Sequence, residues 1–404
     1  MTREIEFRLA ASPDTLDEIA GFLFPNGNAS RGLRAQKLHA IYYDTVDQRL
    51  RQRGLALRVR KNGRKFTQTL KTDSTNAAVF DRREWEVEVP GFTPDFRAFD
   101  DPEIADRIGL IFPEELQPLF ETDIRRRVGL FDVANPDRTP ARIELAFDVG
   151  VIKTEQQTAN VSELELELKA GDTRSLFELA AMIRERTPLR LLTLDKATRG
   201  YRLAINEAPS WAKAEKLKLV GDMTAEEGLE AVLTAGLNHW LQNEQAAFAG
   251  NDPEGVHQLR VALRRLRSAL TLFRTVLVGE ARISWNDRLR EILNAMGPAR
   301  DLDVFEEEML SPVLATRAED EGLIALNDVA AKERAKAQEK VREAINSQAY
   351  ADTILDLIWW LERKGWREGA EVDLLIAQRM PLLQLASSTL DKGHKSVRKK
   401  GKHF

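Results

Sequence analysis

Cysteine is missing from all 404 residues. Its absence excludes disulfides, thiolate metal sites and cysteine nucleophiles, and fits a reducing cytosol. No apolar run reaches bilayer-spanning length, and the opening MTREIEFRLA is charged where a signal peptide is apolar. A cytoplasmic protein with no membrane partner is therefore expected. Stretches of the form GxxxxGK[ST], HExxH and GxSxG are absent too, and five scattered histidines give neither a triad nor a zinc site. Net charge is only −4, so no whole-protein field draws the chain to nucleic acid or membrane. Any polyanion site must be a local concentration of basic residues. What is present, 43% hydrophobic and 31% charged residues, is a globular composition long enough for two or three domains.

The first half reads as strands with one charged face each. Extended, Glu4-Ile5-Glu6-Phe7-Arg8 aims Glu4, Glu6 and Arg8 one way and Ile5 and Phe7 the other. Carboxylates about 7 Å apart along a strand repel unless a cation sits between them. Ser12-Pro13-Asp14 caps a short helix to about Phe24. Strands are expected at 39–43, 55–60, 65–71, 82–89, 124–130, 142–149 and 162–169, with Asn62-Gly63 as a two-residue hairpin turn. A helix from about Thr173 to Arg186 follows.

Taken singly, each strand reads as part of a sheet with one face in water. Together they do not, because a solvated face mixes signs and like charges opposite one another destabilise a sheet. Here the signs segregate by strand. Glu4 and Glu6 are acidic, Arg58, Arg60 and Lys71 basic, and Glu84, Glu86 and Glu88 acidic. Arg125 and Arg127 are basic, and Glu144 and Asp148, then Glu163, Glu165 and Glu167, acidic. The pattern suits an antiparallel barrel with a polar lumen, its apolar faces turned outwards under helices. Carboxylates in such a lumen suit hard dications, and Arg and Lys suit phosphate, which is most of what phosphoryl transfer requires.

These residues resemble the CYTH domain, the triphosphate tunnel metalloenzymes. Glu4-Ile5-Glu6-Phe7-Arg8 is similar to the family's ExExK signature. The likeness continues through Tyr42-Tyr43-Asp44-Thr45, Arg58/Arg60, Thr69-Leu70-Lys71, Arg83-Glu84-Trp85-Glu86, Arg125/Arg127, Glu144/Asp148, Glu163/Glu165/Glu167 and Lys196-Ala197-Thr198-Arg199-Gly200-Tyr201. One departure is Arg8, where the family has lysine; a role needing a deprotonatable amine would be lost. The resemblance implies an eight-stranded tunnel that hydrolyses triphosphate with Mg²⁺ or Mn²⁺. It assigns metal to Glu4, Glu6, Glu163, Glu165, Glu167 and Asp148. Phosphates fall to Arg8, Arg58, Arg60, Lys71, Arg125, Arg127 and Lys196. Catalysis falls to Glu4, Glu6, Arg8, Glu84 and Glu86. Glu84, Glu86, Glu144 and Asp148 would bind a second metal, position the attacking water, or simply balance charge.

Beyond a linker at 206–221 everything reads helical. Thr224-Ala225-Glu226-Glu227 is a capping box, and Asp252-Pro253 starts the next helix. There Val256, Leu259, Leu263, Leu266 and Leu270 make a buried stripe, while His257, Arg260, Arg264 and Arg267 share a neighbouring face flanked by Arg265. Five arginines and no acidic residue lie between Gly255 and Gly279, which suits a polyanion-binding face. Ala299-Arg300-Asp301-Leu302-Asp303 is expected between helices, and the basic tail 391–404 is compatible with disorder.

His257 to Arg267, followed by Arg300-Asp301-Leu302-Asp303, resembles the CHAD domain. That resemblance implies an all-helical bundle that binds inorganic polyphosphate through His257, Arg260, Arg264, Arg265 and Arg267. The family's second His/Arg helix would begin where the chain stops at Phe404, so the domain is expected to be incomplete. The expected architecture is α+β: an antiparallel eight-stranded barrel over 1–205 with covering helices, then an all-α domain over 222–404. The expected activity is hydrolysis of inorganic triphosphate beside a polyphosphate-binding domain. The alternatives are a nucleoside or thiamine triphosphate enzyme, a cyclase-like enzyme, or a non-catalytic polyphosphate scaffold. Nothing in the sequence reads bases, so nucleic acid is not an expected partner.

Overall fold

The computed structural model describes residues 2–25, 32–73, 80–134 and 139–401, the side chains of 2–4, 80 and 81 excepted. The chain forms two compact units, Met1–Ala208 and Pro209–Phe404. Among the described residues the first holds an antiparallel sheet: β1 (Thr2–Ala10), β2 (Arg34–Asp44), β3 (Leu55–Asn62), β4 (Lys65–Thr72), β5 (Phe80–Val89), β6 (Gln117–Val133), β7 (Ala141–Lys153), β8 (Thr158–Ala170) and β9 (Arg190–Leu191). Its order is β5-β4-β3-β2-β6-β7-β8-β1-β9, with a further pairing between β5 and β1. Nine strands thus stand where eight were expected, the ninth being two residues paired with Leu9 and Ala10. One edge of β1 is taken by β8. The other is shared by β5 over Thr2–Glu6 and by β9.

Five helices accompany the sheet: α1 (Pro13–Leu23), α2 (Arg49–Gln52), α3 (Pro102–Ile108), α4 (Arg174–Arg184) and α5 (Lys196–Ala204). Alternation along the strands sends one side-chain set outwards onto these helices. Leu55, Leu57, Val59, Leu70 and Trp85 are buried with Ile104 and Ile108 of α3. Phe7 of β1 meets Phe177 of α4 edge to face at 5.2 Å. The turn between β3 and β4 is Gly63-Arg64, one residue later than expected, with Asn62 paired to Lys65. Gly63 takes a φ of 62°, the left-handed conformation that such a turn needs at its first position.

The inward face is not polar throughout. Leu38, Ala40 and Tyr42 of β2, Phe120 and Ile124 of β6, Ile152 and Val161 form a second core with Ala197 and Tyr201 of α5. Tyr42 lies on Phe120 at 4.4 Å, and Tyr201 meets Phe120 edge on at 5.4 Å. Helix α5 begins at Asp195, whose side chain accepts a hydrogen bond from the Thr198 N–H at 2.7 Å. It presents Gly200 to the Phe120 ring, so helix and strand approach closely.

The second unit is helical, with α6 (Ala225–Ala249), α7 (Pro253–Leu272), α8 (Gly279–Ala295), α9 (Gly297–Val304), α10 (Ser311–Thr316), α11 (Glu321–Asn346), α12 (Gln348–Glu362), α13 (Val372–Gln378) and α14 (Leu382–Lys400). The capping box at Thr224/Glu227 and the Asp252 cap are formed, and the α7 stripe from Val256 to Leu270 is buried. Two expectations are corrected. Arg300 to Asp303 lie within α9, which Pro298 opens in its first turn, and the basic tail is helical through Lys400. Residues 207–220 carry no helix or strand, yet they are anchored. The Ala212 N–H donates to Asn243, its carbonyl accepts from the Asn243 amide, and Trp211 donates to Asp252. Among the described residues, no helix is long and apolar enough to cross a membrane.

A methyl group at Gly200 has nowhere to go, because Phe120 is already held between Tyr42 and Tyr201. Gly200→Ala is expected to cost roughly 1–3 kcal/mol by overpacking, more than alanine's helix propensity returns. A lowered urea midpoint for the first unit checks this.

Candidate active site

Register places the charged side chains in rows. Arg58 of β3 stands opposite Thr69 of β4, which stands opposite Glu86 of β5; Lys71 stands opposite Glu84. Across the sheet, Glu6 of β1, Glu167 of β8 and Glu144 of β7 are directly in register. Directly opposed like charges destabilise a sheet, so this row requires cations. Arg8 opposite Glu165 forms the next row, and Glu163, Asp148 and Arg126 the one after.

These rows wall a cavity of about 290 Å³. Of its 18 lining residues, 15 are charged: seven carboxylates (Glu6, Glu84, Glu86, Glu144, Glu165, Glu167, Asp195) and eight cations (Arg8, Arg58, Arg60, Lys71, Arg82, Arg126, Lys169, Lys196). Tyr42, Ala56 and Ala197 complete the lining. The Lys71 ammonium lies 2.9 Å from Glu84, Arg60 lies 3.5 Å from Glu86, and Thr69 donates to Glu86 at 3.0 Å. Lys169 bonds Glu167 at 2.6 Å and lies 3.8 Å from Glu144. Glu6 takes hydrogen bonds from Arg8 and from Arg82, the latter at 2.9 Å, while Arg82 also bonds Asp195 at 2.6 Å.

Most of the residues singled out in the sequence come together here, but not all. Arg126 lines the cavity in place of Arg125 and Arg127. Arg125 is exposed, and Arg127 is turned to Asp17 of α1 at 2.6 Å and over the Phe147 ring. The phase follows from Phe120 and Ile124, whose apolar side chains share the inward face with Arg126. Asp148 and Glu163 are fully buried behind the wall. Arg126 bonds both oxygens of Asp148, at 2.7 and 2.6 Å, and Glu165 at 2.5 Å. Lys196 bonds Asp148 and Glu165 at 2.7 Å each and also Glu163, which Arg199 holds from the other side. The Glu4 side chain lies outside the described residues. Arg82 and Asp195 were missed; their signal is position, Arg82 two residues before Glu84 on its strand and Asp195 as the α5 cap.

The charges act on one another. Burial disfavours the Arg58 cation, but Tyr42 and Glu84 hold its pKa above the ordinary value. Arg60, beside Arg58 and buried, is pulled down to about 10. At the opposite wall burial pushes Glu165 up, yet Lys196, Arg126 and Arg8 bring it well below the carboxylate range. Asp148 is lowered likewise by Lys196 and Arg126 against its burial, and Asp195 by Arg82 and Arg8.

In the second unit, Arg264 and Arg265 are exposed on α7 and His257 is half-buried. Arg260 donates to the Leu293 carbonyl at 2.7 Å, and Arg267 to Asn286 at 2.8 Å. Burial lowers the pKa of Arg260, and nearby Arg264 and Arg300 lower it further against Asp301.

Comparison with known proteins gives both halves relatives. Residues 2–201 match the CYTH domain family and residues 231–404 the CHAD domain family. An inorganic triphosphatase from Haemophilus influenzae is 30% identical over 211 residues, covering 50% of this chain and 55% of that protein. The chain thus spans just over half the length of that curated relative. The crystal structure of a CHAD domain from Ricinus communis is similar with a TM-score of 0.41 and 28% identity, over 48% of this chain and 62% of that one. A Hippeastrum protein described as a putative adenylyl cyclase with a dominant triphosphatase activity has a TM-score of 0.38 and 17% identity, over 49% of this chain and 95% of its own.

Asp148, Glu165 and Asp195 titrate below their unfolded values, near 4. Such groups contribute stability that is present above pH 4 and lost as pH falls through their folded pKa values. The first unit is expected to melt at progressively lower temperature below about pH 4, with little change between pH 5 and 7. Calorimetry across pH 3–7 checks the direction.

Proposed function

From a chain that carries a CYTH domain over residues 2–201 and a CHAD domain over 231–404, we propose a metal-dependent triphosphatase that hydrolyses inorganic triphosphate in the first-unit cavity. The second unit binds inorganic polyphosphate. The observation that carries the reading is the cavity lining: eight cations, among them Arg60 depressed by Arg58, by burial and by Arg126, facing an in-register row of three glutamates. An anion relieves the first and a dication the second. Inorganic triphosphate is favoured over a nucleoside or thiamine ester because, among the described residues, only Tyr42, Ala56 and Ala197 of the lining are uncharged, which leaves little apolar surface for a ring. The pairing of β5 with β1 supports a closed tunnel of eight strands, with β9 added outside it.

The donor set fits a hard dication such as Mg²⁺ or Mn²⁺, since all candidates are carboxylates. Glu6, Glu144 and Glu167, in register, with Glu165 beside them, would hold it. When bound, such an ion neutralises phosphate charge and acidifies water. Arg58, Arg60 and Lys71 bind the phosphate oxygens, the two arginines in bidentate fashion. Arg8 and Arg82 orient Glu6. Glu86, kept ionised by Arg58, Arg60 and Thr69 despite burial, accepts a hydrogen bond from the attacking water and orients it in line. Water adds to a terminal phosphorus, the bridging P–O bond breaks, and phosphate and diphosphate leave. In the second unit, His257, Arg260, Arg264, Arg265 and Arg267, with Arg300, bind polyphosphate.

Phosphate release from tripolyphosphate, ATP and thiamine triphosphate, each with Mg²⁺ and with Mn²⁺, tests the reading. Tripolyphosphate is expected to be turned over fastest, and Glu167→Gln and Arg60→Ala to lower its kcat/KM by roughly 100-fold or more. Full activity in Glu167→Gln, or a preference for ATP, sinks the catalytic assignment. For the second unit, the double variant Arg264→Ala/Arg265→Ala is expected to weaken salt-sensitive binding of long-chain polyphosphate without changing tripolyphosphate turnover. Unchanged polyphosphate affinity removes α7 from the binding face.

A further inference from the structure

Arg125 lies outside the cavity, and the face it occupies has a charge pattern of its own. On the outer side of the sheet Arg125 of β6 stands directly opposite Lys37 of β2, and Lys61 of β3 stands opposite His39, diagonal to Lys37. Directly opposed side chains lie about 5 Å apart at Cβ and diagonal ones about 7 Å. All three cations are exposed, and none forms an ion pair with a described residue. On the same face of β6, Glu121 is bonded to His39 at 2.8 Å, and Asp123 is half-buried opposite His39. Like charges in register destabilise a sheet. Among the described residues β2 pairs with β3 only from Leu38 onwards, so Arg34 to Lys37 pair with β6 alone. A lysine on such an open edge discourages pairing with another chain. That accounts for Lys37, but not for a second cation directly across from it.

We propose that Lys37, Lys61 and Arg125, with Arg64 at the neighbouring turn, form an anion site on the outer face of the first unit that holds a run of phosphates of a long inorganic polyphosphate chain. The choice of ligand rests on the reading above. The patch backs onto the cavity: Arg60 and Arg126, the chain neighbours of Lys61 and Arg125, point the other way and line it. Strand β3 ends at Asn62, so one residue separates Lys61 from the turn to β4, where Arg64 is exposed and also without an ion pair to a described residue. The three cations run across β6, β2 and β3 and do not converge on a point, which suits a chain with a charge on every phosphorus better than a single phosphate. Among the described residues the rings beside the patch are already engaged. Phe92 stands edge on to His39 at 5.3 Å and to Phe66 at 4.9 Å, and Lys61 lies over Phe66 at 5.6 Å. They offer a base no open stacking platform, which favours polyphosphate over single-stranded nucleic acid.

Acylation of lysine amines on the full chain, followed residue by residue by mass spectrometry, reads this without turnover. Long-chain polyphosphate at constant ionic strength is expected to slow the acylation of Lys37 and Lys61 roughly fivefold or more, and orthophosphate at the same phosphorus concentration to leave both unchanged. In Arg125→Gln, a surface substitution, the slowing at Lys37 is expected to shrink. Unslowed acylation of both lysines, equal slowing by orthophosphate, or undiminished slowing in Arg125→Gln overturns the site and leaves the cavity reading intact. Equal slowing by single-stranded RNA of matched charge overturns polyphosphate as its ligand. Slowing at Lys37 and Lys61 in a chain that fails to hydrolyse tripolyphosphate upholds the site and sinks the cavity reading alone.

Discussion

Carboxylates set side by side across neighbouring strands must be neutralised, and much of the first unit is arranged around that requirement. Glu6, Glu167 and Glu144 stand in register across β1, β8 and β7, and Glu163 and Asp148 do so one row further along. Backbone pairing fixes these neighbours, so the repulsion cannot be relieved by moving a strand without turning every side chain to the other face. Relief comes from cations on other elements: Arg126 of β6, Arg82 of β5, and Lys196 and Arg199 of α5. The charge pairs are therefore also what ties α5 and β5 to the acidic wall.

A lumen with both signs on its walls has a consequence that a purely basic one lacks. Its side chains neutralise one another, with Lys71 on Glu84, Arg60 near Glu86 and Lys169 on Glu167. On the proposed reading, triphosphate and a dication enter as a pair and exchange partners with these residues, so neither has to be bound against an uncompensated buried charge. The Lys71–Glu84 and Lys169–Glu167 pairs at the cavity are partly exposed, whereas Asp148 and Glu163 are fully buried and each meet more than one cation.

The strands were legible because alternation of charged and apolar residues is strong in 55–60, 82–89 and 162–169. The segregation of sign between strands pointed to one shared lumen. The misplaced arginines come from one assumption, that apolar side chains on these strands face outwards. At the end closed by α5 the inward face is apolar, with Leu38, Tyr42, Phe120 and Ile124 packed on Tyr201. Along Ile124-Arg125-Arg126-Arg127-Val128 that assumption assigned the inward phase to Arg125 and Arg127, whereas Ile124 and Arg126 share it. Phe120, Thr122 and Ile124, all buried on alternate positions, carried the correct phase. The contacts of Lys196 with Asp148, Glu163 and Glu165 were not legible, since they depend on where α5 docks against β8.

On the proposed reading the two units meet polyanions with different chemistry, and the difference bounds what each does. On α7, Arg260 and Arg267 are anchored by a main-chain carbonyl and an amide oxygen, and Arg264 and Arg265 are exposed. Such a face holds a phosphate chain by charge, yet it brings no row of carboxylates to hold a dication or orient water. The first-unit cavity has both. The proposed division, hydrolysis in the cavity and retention on the helical face, follows because phosphoryl transfer needs a positioned nucleophile in addition to neutralised charge.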